Sequence, residues 1–250
     1  MMTCKKRFTL RKLVITGILG GISAILGLTP LGFIPVGLTK ATIMHIPVII
    51  GAIMEGPLVG GLVGLIFGLF SMFQALTNPT PISFVFLNPL VSILPRVLIG
   101  IVSYYVYKLF KTLGKKTSSI IIYAIWGGIT AYLVKVLVAG ILNKSNIGML
   151  IVNGVLIVVN LFAGLYIYKG IREKAAEVAV SAALGTLTNT VGVLLSIYLL
   201  YGQQFVEAME LDSNTANKVI LGIGITNGIP EMIVAIIIVT SVVAGLNKRR

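Results

Sequence analysis

Long apolar runs separated by short basic clusters are the feature that most limits what this chain can fold into. About eight runs can be marked, at 13–33, 40–54, 57–76, 87–110, 119–142, 147–168, 178–201 and 219–245. A helix needs roughly 20 apolar residues to cross the hydrocarbon core of a bilayer. Only 11% of the residues are charged, against about a quarter in a soluble domain. We therefore predict an all-α polytopic membrane protein with about eight transmembrane helices, forming a single transmembrane domain over 1–250.

The second and third runs are separated by Glu55-Gly56-Pro57. One helix over 40–76 would be about 55 Å long, and it would carry Pro57 in its interior, where proline removes a backbone hydrogen bond. Two helices joined by a tight turn at these residues fit better.

Basic residues predict the orientation. Most of the 20 lysines and arginines fall in four clusters, at 5–12, 108–116, 169–174 and 248–250. Cytoplasmic connections are enriched in lysine and arginine, and all four clusters share one side when the number of spans is even. Both termini are therefore expected in the cytoplasm, with 1–12 as a basic cytoplasmic N-terminus.

The sequence argues against nucleic-acid binding, metal binding and catalysis. The net charge of +13 comes from clusters between apolar runs, not from a basic stripe on a soluble domain. One cysteine and one histidine are too few for a zinc centre. The chain contains no HExxH, GxSxG or GxxxxGK[ST] motif. We expect no enzyme activity, no cofactor and no ATP site of the chain's own.

A few ionisable and amide side chains fall inside the apolar runs. They are His45, Arg96, Lys135 and Glu231, together with Asn189 and Asn227. A charge near the centre of a span costs about 2.5–3.5 kcal/mol on insertion scales, so such residues are candidate functional positions. Helix geometry places Arg96, Asn227 and Glu231 roughly 12–18 Å from the outer ends of their helices. This depth predicts a pocket that opens to the outside.

Prolines lie beside or near three of these side chains, at Pro47, Pro95 and Pro230, and we expect each proline within a span. An internal proline leaves the carbonyl four residues back without its helical donor. Broken helices near the membrane centre often form substrate sites. Two interpretations of Arg96 stay open, because it could bind an anionic ligand or pair with Glu231 and join two helices.

The other polar residues have structural alternatives as well. His45 alone is typical of a satisfied interior histidine. Lys135 could extend towards the interface instead of lining a site. Asn189 and Asn227 could join helices by hydrogen bonds.

Four collinear segments carry a resemblance to a known family. They are ATIMHIPVIIGAIMEGPLVGGLVGLIFGL (41–69), NPLVSILPRVLIG (88–100), ALGTLTNTVGVL (183–194) and TNGIPEMIVA (226–235). Together they resemble the substrate-binding S component of energy-coupling-factor (ECF) vitamin transporters, and most of all the pantothenate-type branch. The resemblance covers roughly 13–110 and 178–245.

The resemblance implies a subunit of a bacterial cell membrane that captures a small, water-soluble vitamin from outside, with pantothenate as the first choice. It also implies ATP-driven uptake with a membrane coupling (T) subunit and two cytoplasmic ATPase subunits. The loop at 77–88 would close over the ligand. Together with the polar residues of the apolar runs, the resemblance leads us to predict as substrate-binding residues Arg96, Asn189, Asn227, Glu231, His45 and Asn88.

Docking on the coupling subunit would use a small-xxx-small motif in the first helix. Gly20 and Ala24 offer this spacing, and so do Gly17 and Gly21.

The chain departs from the family pattern by an extra helix pair at about 119–168, inserted into a six-helix core, and Lys135 has no counterpart there. Two rival functions remain open. One is an ion-coupled secondary transporter with Glu231 as the coupling carboxylate. The other is a membrane scaffold whose buried charges only pair helices.

Overall fold

The computed structural model describes residues 9–36, 39–113, 115–142, 147–170, 176–209 and 216–247. Within these ranges the α-helices are α1 (Leu10–Leu28), α2 (Ile46–Glu55), α3 (Pro57–Thr77), α4 (Pro89–Ser92), α5 (Leu94–Leu113), α6 (Lys115–Leu142), α7 (Ile147–Gly170), α8 (Ala176–Glu207) and α9 (Ala216–Asn247). The four-residue α4 leads into α5 through Ile93, so the two follow one predicted run. The predicted order of helices is confirmed on this basis.

Several of these helices are long and apolar enough to cross a membrane. Among the described residues there are 6 such candidate spans, at Leu10–Leu28, Pro57–Thr77, Pro89–Leu113, Ser119–Leu142, Ala176–Glu207 and Val219–Leu246. α2 is shorter, as its short apolar run indicated. All-helical membrane architecture is therefore confirmed.

A small β-hairpin interrupts the predicted all-α pattern. β1 (Phe33–Val36) pairs antiparallel with β2 (Thr39–Thr42), and Phe33 lies opposite Thr42. The apolar run at 13–33 is not helical to its C-terminal end, because α1 stops at Leu28 and Pro30 follows. Proline has no amide hydrogen with which to continue the helix. The run at 40–54 likewise begins as strand, and its helix starts only at Ile46.

Two of the three prolines lie differently from the prediction. Pro47 and Pro95 are each the second residue of a helix, α2 and α5. Proline is well tolerated there because the first amides of a helix have no intrahelical partner. Pro230 does lie inside α9, as expected.

The predicted turn between α2 and α3 is confirmed. Gly56 adopts φ 104°, a left-handed conformation that side chains with a Cβ rarely adopt. Pro57 then opens α3. The two helices therefore fold back on each other within a single residue.

Close packing of α3 on α5 positions the candidate site. A Cβ at Gly64 would collide with the backbone carbonyl of Arg96, and one at Gly100 would collide with the backbone of Gly60. Small residues let helices approach closely in lipid. Backbone-to-backbone contact thus places the start of α5 directly against the middle of α3.

α6 and α7 form a lateral pair joined by side-chain hydrogen bonds. The indole nitrogen of Trp126 donates to the carbonyl of Asn160 at 2.9 Å, and the Asn160 amide donates to Thr130 at 2.7 Å. Only 6% of the α6 span is buried inside the protein, against 56% of the α8 span. Lys135 lies on the exposed surface of α6. The pair therefore adds little to the interior of the bundle.

Candidate functional site

Arg96 occupies a gap in the backbone hydrogen bonding that Pro95 creates. Proline at 95 cannot donate to the carbonyl of Val91, four residues earlier. The Nη1 atom of Arg96 donates to that carbonyl instead. The arginine is buried, and its Nε atom has no hydrogen-bond partner among the described residues. One N–H group of the guanidinium therefore replaces the missing backbone donor, and the Nε–H group remains available to another acceptor.

Two aromatic rings flank the same guanidinium. Its Cζ atom lies 5.4 Å from the ring centre of Phe67 in α3 and 5.8 Å from that of Phe86 in the Ser83–Leu87 turn. A cation within about 6 Å of an aromatic face is attracted by the ring quadrupole. The aromatic contacts hold the charge in place without using its N–H donors.

Glu231 links three segments of the protein. Its Oε1 atom accepts a hydrogen bond from the backbone amide of Thr42 at 2.7 Å, and its Oε2 atom accepts one from the Thr190 hydroxyl at 3.2 Å. The carboxylate is buried in α9. It therefore ties the end of the β-hairpin to α8 and α9. A carboxylate has about four acceptor positions, so these two bonds leave capacity for further donors.

His45 joins the same polar group through α8. Its Nε2 atom lies 3.0 Å from the Thr186 hydroxyl, and the Thr190 hydroxyl lies 3.3 Å from the Thr186 carbonyl. His45 is fully buried, yet its Nδ1 atom has no hydrogen-bond partner among the described residues. The histidine is thus satisfied at one nitrogen and unsatisfied at the other.

The three predicted asparagines have different environments. Asn189 is buried, and its Oδ1 atom has no partner among the described residues. Asn227 is half-buried and takes part in an interaction of its own. Asn88 caps α4 by accepting from the Leu90 amide at 2.9 Å and donates to the Tyr201 hydroxyl at 3.1 Å. Asn88 therefore anchors the loop, and its contact with a ligand stays a prediction.

Unsatisfied buried polar atoms concentrate on predicted site residues. Among the described residues four such side-chain atoms occur, and three belong to His45, Arg96 and Asn189, with Ser103 as the fourth. A buried donor or acceptor without a partner costs roughly 1–3 kcal/mol. Most buried polar groups in proteins are paired, so such atoms call for an explanation.

Arg96 and Glu231 do not form the direct ion pair that was one interpretation of the sequence. Within the described part of the chain, the ion pair that forms is Arg11–Glu55 at 2.8 Å. Arg96 and Glu231 interact electrostatically but are not in contact as a salt bridge. His45 also lies within electrostatic range of Arg96. The site therefore contains a cation and an anion that are each held by other groups.

Comparison with known proteins identifies the family. The model for the ECF transporter, substrate-specific component, matches residues 11–149 and 119–243. The chain belongs to this family. It is therefore a multi-pass membrane S component and a transporter subunit, not an enzyme, and it works with the subunits of an energising module.

Two curated relatives are similar in sequence to this S component. The chain is 28% identical over 226 residues to the pantothenic acid transporter PanT of Lactococcus lactis subsp. cremoris, covering 84% of this chain and 80% of the relative. It is 38% identical over 78 residues to the pantothenate transporter PanT of Leuconostoc mesenteroides subsp. mesenteroides, covering 31% of this chain and 38% of the relative.

The small residues predicted to dock this S component lie on different sides of α1. Gly20 is buried, and a Cβ there would meet the Ile66 side chain of α3 at 2.6 Å. Gly17 and Gly21 are exposed, and no side chain of the described residues lies within 4 Å of an added Cβ at either position. Ala24 is half-buried. Of the two predicted pairs, only Gly17 and Gly21 are both accessible to a partner subunit.

Several residues of the site were not predicted from the sequence. They are Thr42, Phe67, Phe86, Thr186 and Thr190. The two α8 threonines could have been found, because positions 186, 189 and 190 share one face of a helix. The phenylalanines carry no such signal in a chain this apolar.

Proposed function

We propose that this S component captures pantothenate, with the Arg96 guanidinium receiving the vitamin's carboxylate. The observation that carries the proposal is a set of buried polar atoms, on Arg96, Asn189 and His45, that have no hydrogen-bond partner among the described residues. Pantothenate offers a carboxylate, an amide and hydroxyl groups, which match a charged donor, an amide acceptor and an imidazole nitrogen. The names of the two relatives point to the same vitamin.

The charges of Arg96 and Glu231 favour a ligand that carries a single negative charge. Among the described residues, Arg96 is held by Val91 and two aromatic rings and not by a carboxylate. No described carboxylate compensates its charge at contact distance, and a ligand carboxylate would form charge-assisted hydrogen bonds with it. The Glu231 carboxylate would repel a second anionic group and accept bonds from ligand hydroxyls. Asn227 completes the polar lining in this proposal.

The 77–88 loop would cover the ligand from outside. Two contacts with Tyr201 of α8 support this role. The Phe84 ring packs against it edge to face at 5.7 Å, and Asn88 donates to its hydroxyl. The loop thus has a fixed anchor on α8, from which it could close.

The proposed assembly places both termini in the cytoplasm, with eight spans built as a six-helix core plus the α6–α7 pair. In this arrangement a membrane coupling subunit and two ATPase subunits would drive uptake, and Gly17 and Gly21 would contact the coupling subunit. The shallow attachment of α6 to the bundle supports its description as an addition to the core.

Binding measurements on Arg96 variants test the proposal. Arg96→Gln removes the charge while keeping an amide donor for the Val91 carbonyl, and Arg96→Ala removes both. Truncating one partner of a buried charged pair costs about 2–5 kcal/mol, so pantothenate affinity should fall at least about 30-fold. Arg11→Ala is the matched control, because it removes an exposed cation. Calorimetry that finds unchanged pantothenate affinity in both Arg96 variants would refute the carboxylate assignment.

A transport assay separates this function from the ion-coupled alternative. Vesicles containing this chain alone should show pantothenate binding without accumulation. Accumulation in the absence of ATPase subunits, abolished by an ionophore, would instead favour a secondary transporter.

A further inference from the structure

The Arg96 guanidinium lies within cation–π distance of two aromatic rings that belong to different segments. Phe67 is a buried residue of α3, and Phe86 is a half-buried residue of the Ser83–Leu87 turn. Their ring centres lie 5.4 Å and 5.8 Å from the Arg96 Cζ atom. The turn belongs to the loop at 77–88, so one ring comes from the fixed bundle and the other from the proposed cover.

Aromatic faces restrain an arginine in a way that polar partners do not. A guanidinium donates its hydrogen bonds within its own plane and stacks through its faces. A carbonyl or carboxylate partner would occupy an N–H donor, whereas an aromatic ring attracts the charge and leaves every donor available. Among the described residues, the Nε atom of Arg96 therefore has no hydrogen-bond partner although the side chain is buried.

We propose that Phe67 and Phe86 are positioning residues that clamp the Arg96 guanidinium for a carboxylate ligand. This inference rests on the proposed function, because it concerns how Arg96 recognises the vitamin's anionic end. The two rings and the Val91 carbonyl restrain the side chain before the ligand arrives. Less side-chain conformational entropy is then lost when the ligand binds, and this raises affinity. The clamp contributes to binding of the carboxylate and not of the rest of the ligand.

A purely structural role predicts a different result. Phe67 also packs in the main hydrophobic core with Val63 and Ile99. If packing were its only role, shortening the side chain would weaken every ligand to the same degree. A ligand pair that differs only in the carboxylate separates the two roles. Pantothenate and pantothenol, in which a hydroxymethyl group replaces the carboxylate, form such a pair.

The test is calorimetry with both ligands on the full chain in nanodiscs. Phe67→Leu and Phe86→Leu should each weaken pantothenate binding by about 2- to 30-fold and change pantothenol binding by less than about 2-fold. Phe86→Tyr, which keeps an aromatic face, should retain the parental preference for the acid. Because Phe86 is only half-buried, its variants test the clamp even if Phe67→Leu folds poorly.

Two other phenylalanines of α3 provide controls. Phe70 lies one turn along α3 from Phe67, and its ring packs on Phe73 at 6.1 Å. Phe73 is exposed. Phe70→Leu and Phe73→Leu should leave the ratio of the acid and alcohol affinities unchanged.

The outcomes distinguish failure of the clamp from failure of the proposed function. If the parent prefers the acid but the clamp variants lose acid and alcohol equally, the clamp is overturned alone. The same holds if the control variants shift the ratio as much as the clamp variants do. If the parent binds acid and alcohol equally well, the carboxylate assignment of Arg96 is overturned, and the clamp with it.

Discussion

Substitution of Gly64 by alanine offers the sharpest test of how packing positions Arg96. Gly64 faces the start of α5, and a Cβ at this position would overlap the carbonyl oxygen of Arg96 and lie 3.1 Å from the Cα of Val97. Those neighbours are backbone atoms, which cannot move aside by changing rotamer. The collision can be relieved only if α3 and α5 separate, and α5 carries the arginine.

The expected magnitude follows from overpacking. An extra methyl group in a well-packed interior typically costs about 1–3 kcal/mol. If that strain is relieved by displacement of the Arg96 segment, pantothenate affinity should fall by about 5- to 150-fold. Gly61→Ala is the control three residues away, because among the described residues its Cβ would meet only the Val97 side chain, at 3.8 Å, an ordinary contact. That variant should bind and unfold like the parent.

The assay combines calorimetry with thermal unfolding in the same nanodiscs. Gly64→Ala should show weaker pantothenate binding and a lower unfolding midpoint than Gly61→Ala. Equal affinity and equal midpoints for the two variants would refute the argument, since they would mean that the close approach of α3 to α5 does not determine where Arg96 lies.

Two further predictions concern Glu231 and the topology. Glu231→Ala removes the acceptor from the Thr42 amide and should speed pantothenate dissociation in stopped flow, whereas Glu231→Gln keeps one acceptor oxygen for that amide and should dissociate more slowly than the alanine variant. Equal rates for the two variants would contradict a hairpin held by this hydrogen bond. Cys4, the single cysteine, should react with a membrane-impermeant maleimide only after cells are opened, while Asn78→Cys in a Cys4→Ser background should react in intact cells. Labelling of Cys4 in intact cells would reverse the proposed orientation.

The candidate site was partly predictable from the sequence. Arg96 and Glu231 stood out because buried charges are costly in a membrane, and a neighbouring proline marked each of them. The structure gives Pro95 a different role from the one that the sequence suggested. Pro95 starts a helix rather than bending one, and the gap it leaves at Val91 is filled by the arginine itself. Pro95 and Arg96 are therefore structurally linked, through the Val91 carbonyl and not through a bend in a spanning helix.

Other parts of the site could not be predicted, because they depend on which residues meet across helices. Phe67 is one apolar residue among many, and only the position of α3 against α5 makes it a neighbour of Arg96. The Thr42 amide is a backbone group with no sequence signal of its own. Helical periodicity could reveal Thr186 and Thr190 as sharing a face, but not that this face meets His45 and Glu231.

The amino-acid sequence by itself determined the helical membrane architecture and its family. Apolar run length and the cost of unpaired backbone groups in lipid leave few other solutions. Tertiary structure alone decided the partners of the buried charges. Arg96 could have paired with Glu231 on charge alone, but close packing places its guanidinium against the Val91 carbonyl and two rings, while the Thr42 amide and Thr190 hydroxyl take the carboxylate. Electrostatic attraction alone does not specify which groups meet, whereas the contacts between helices do.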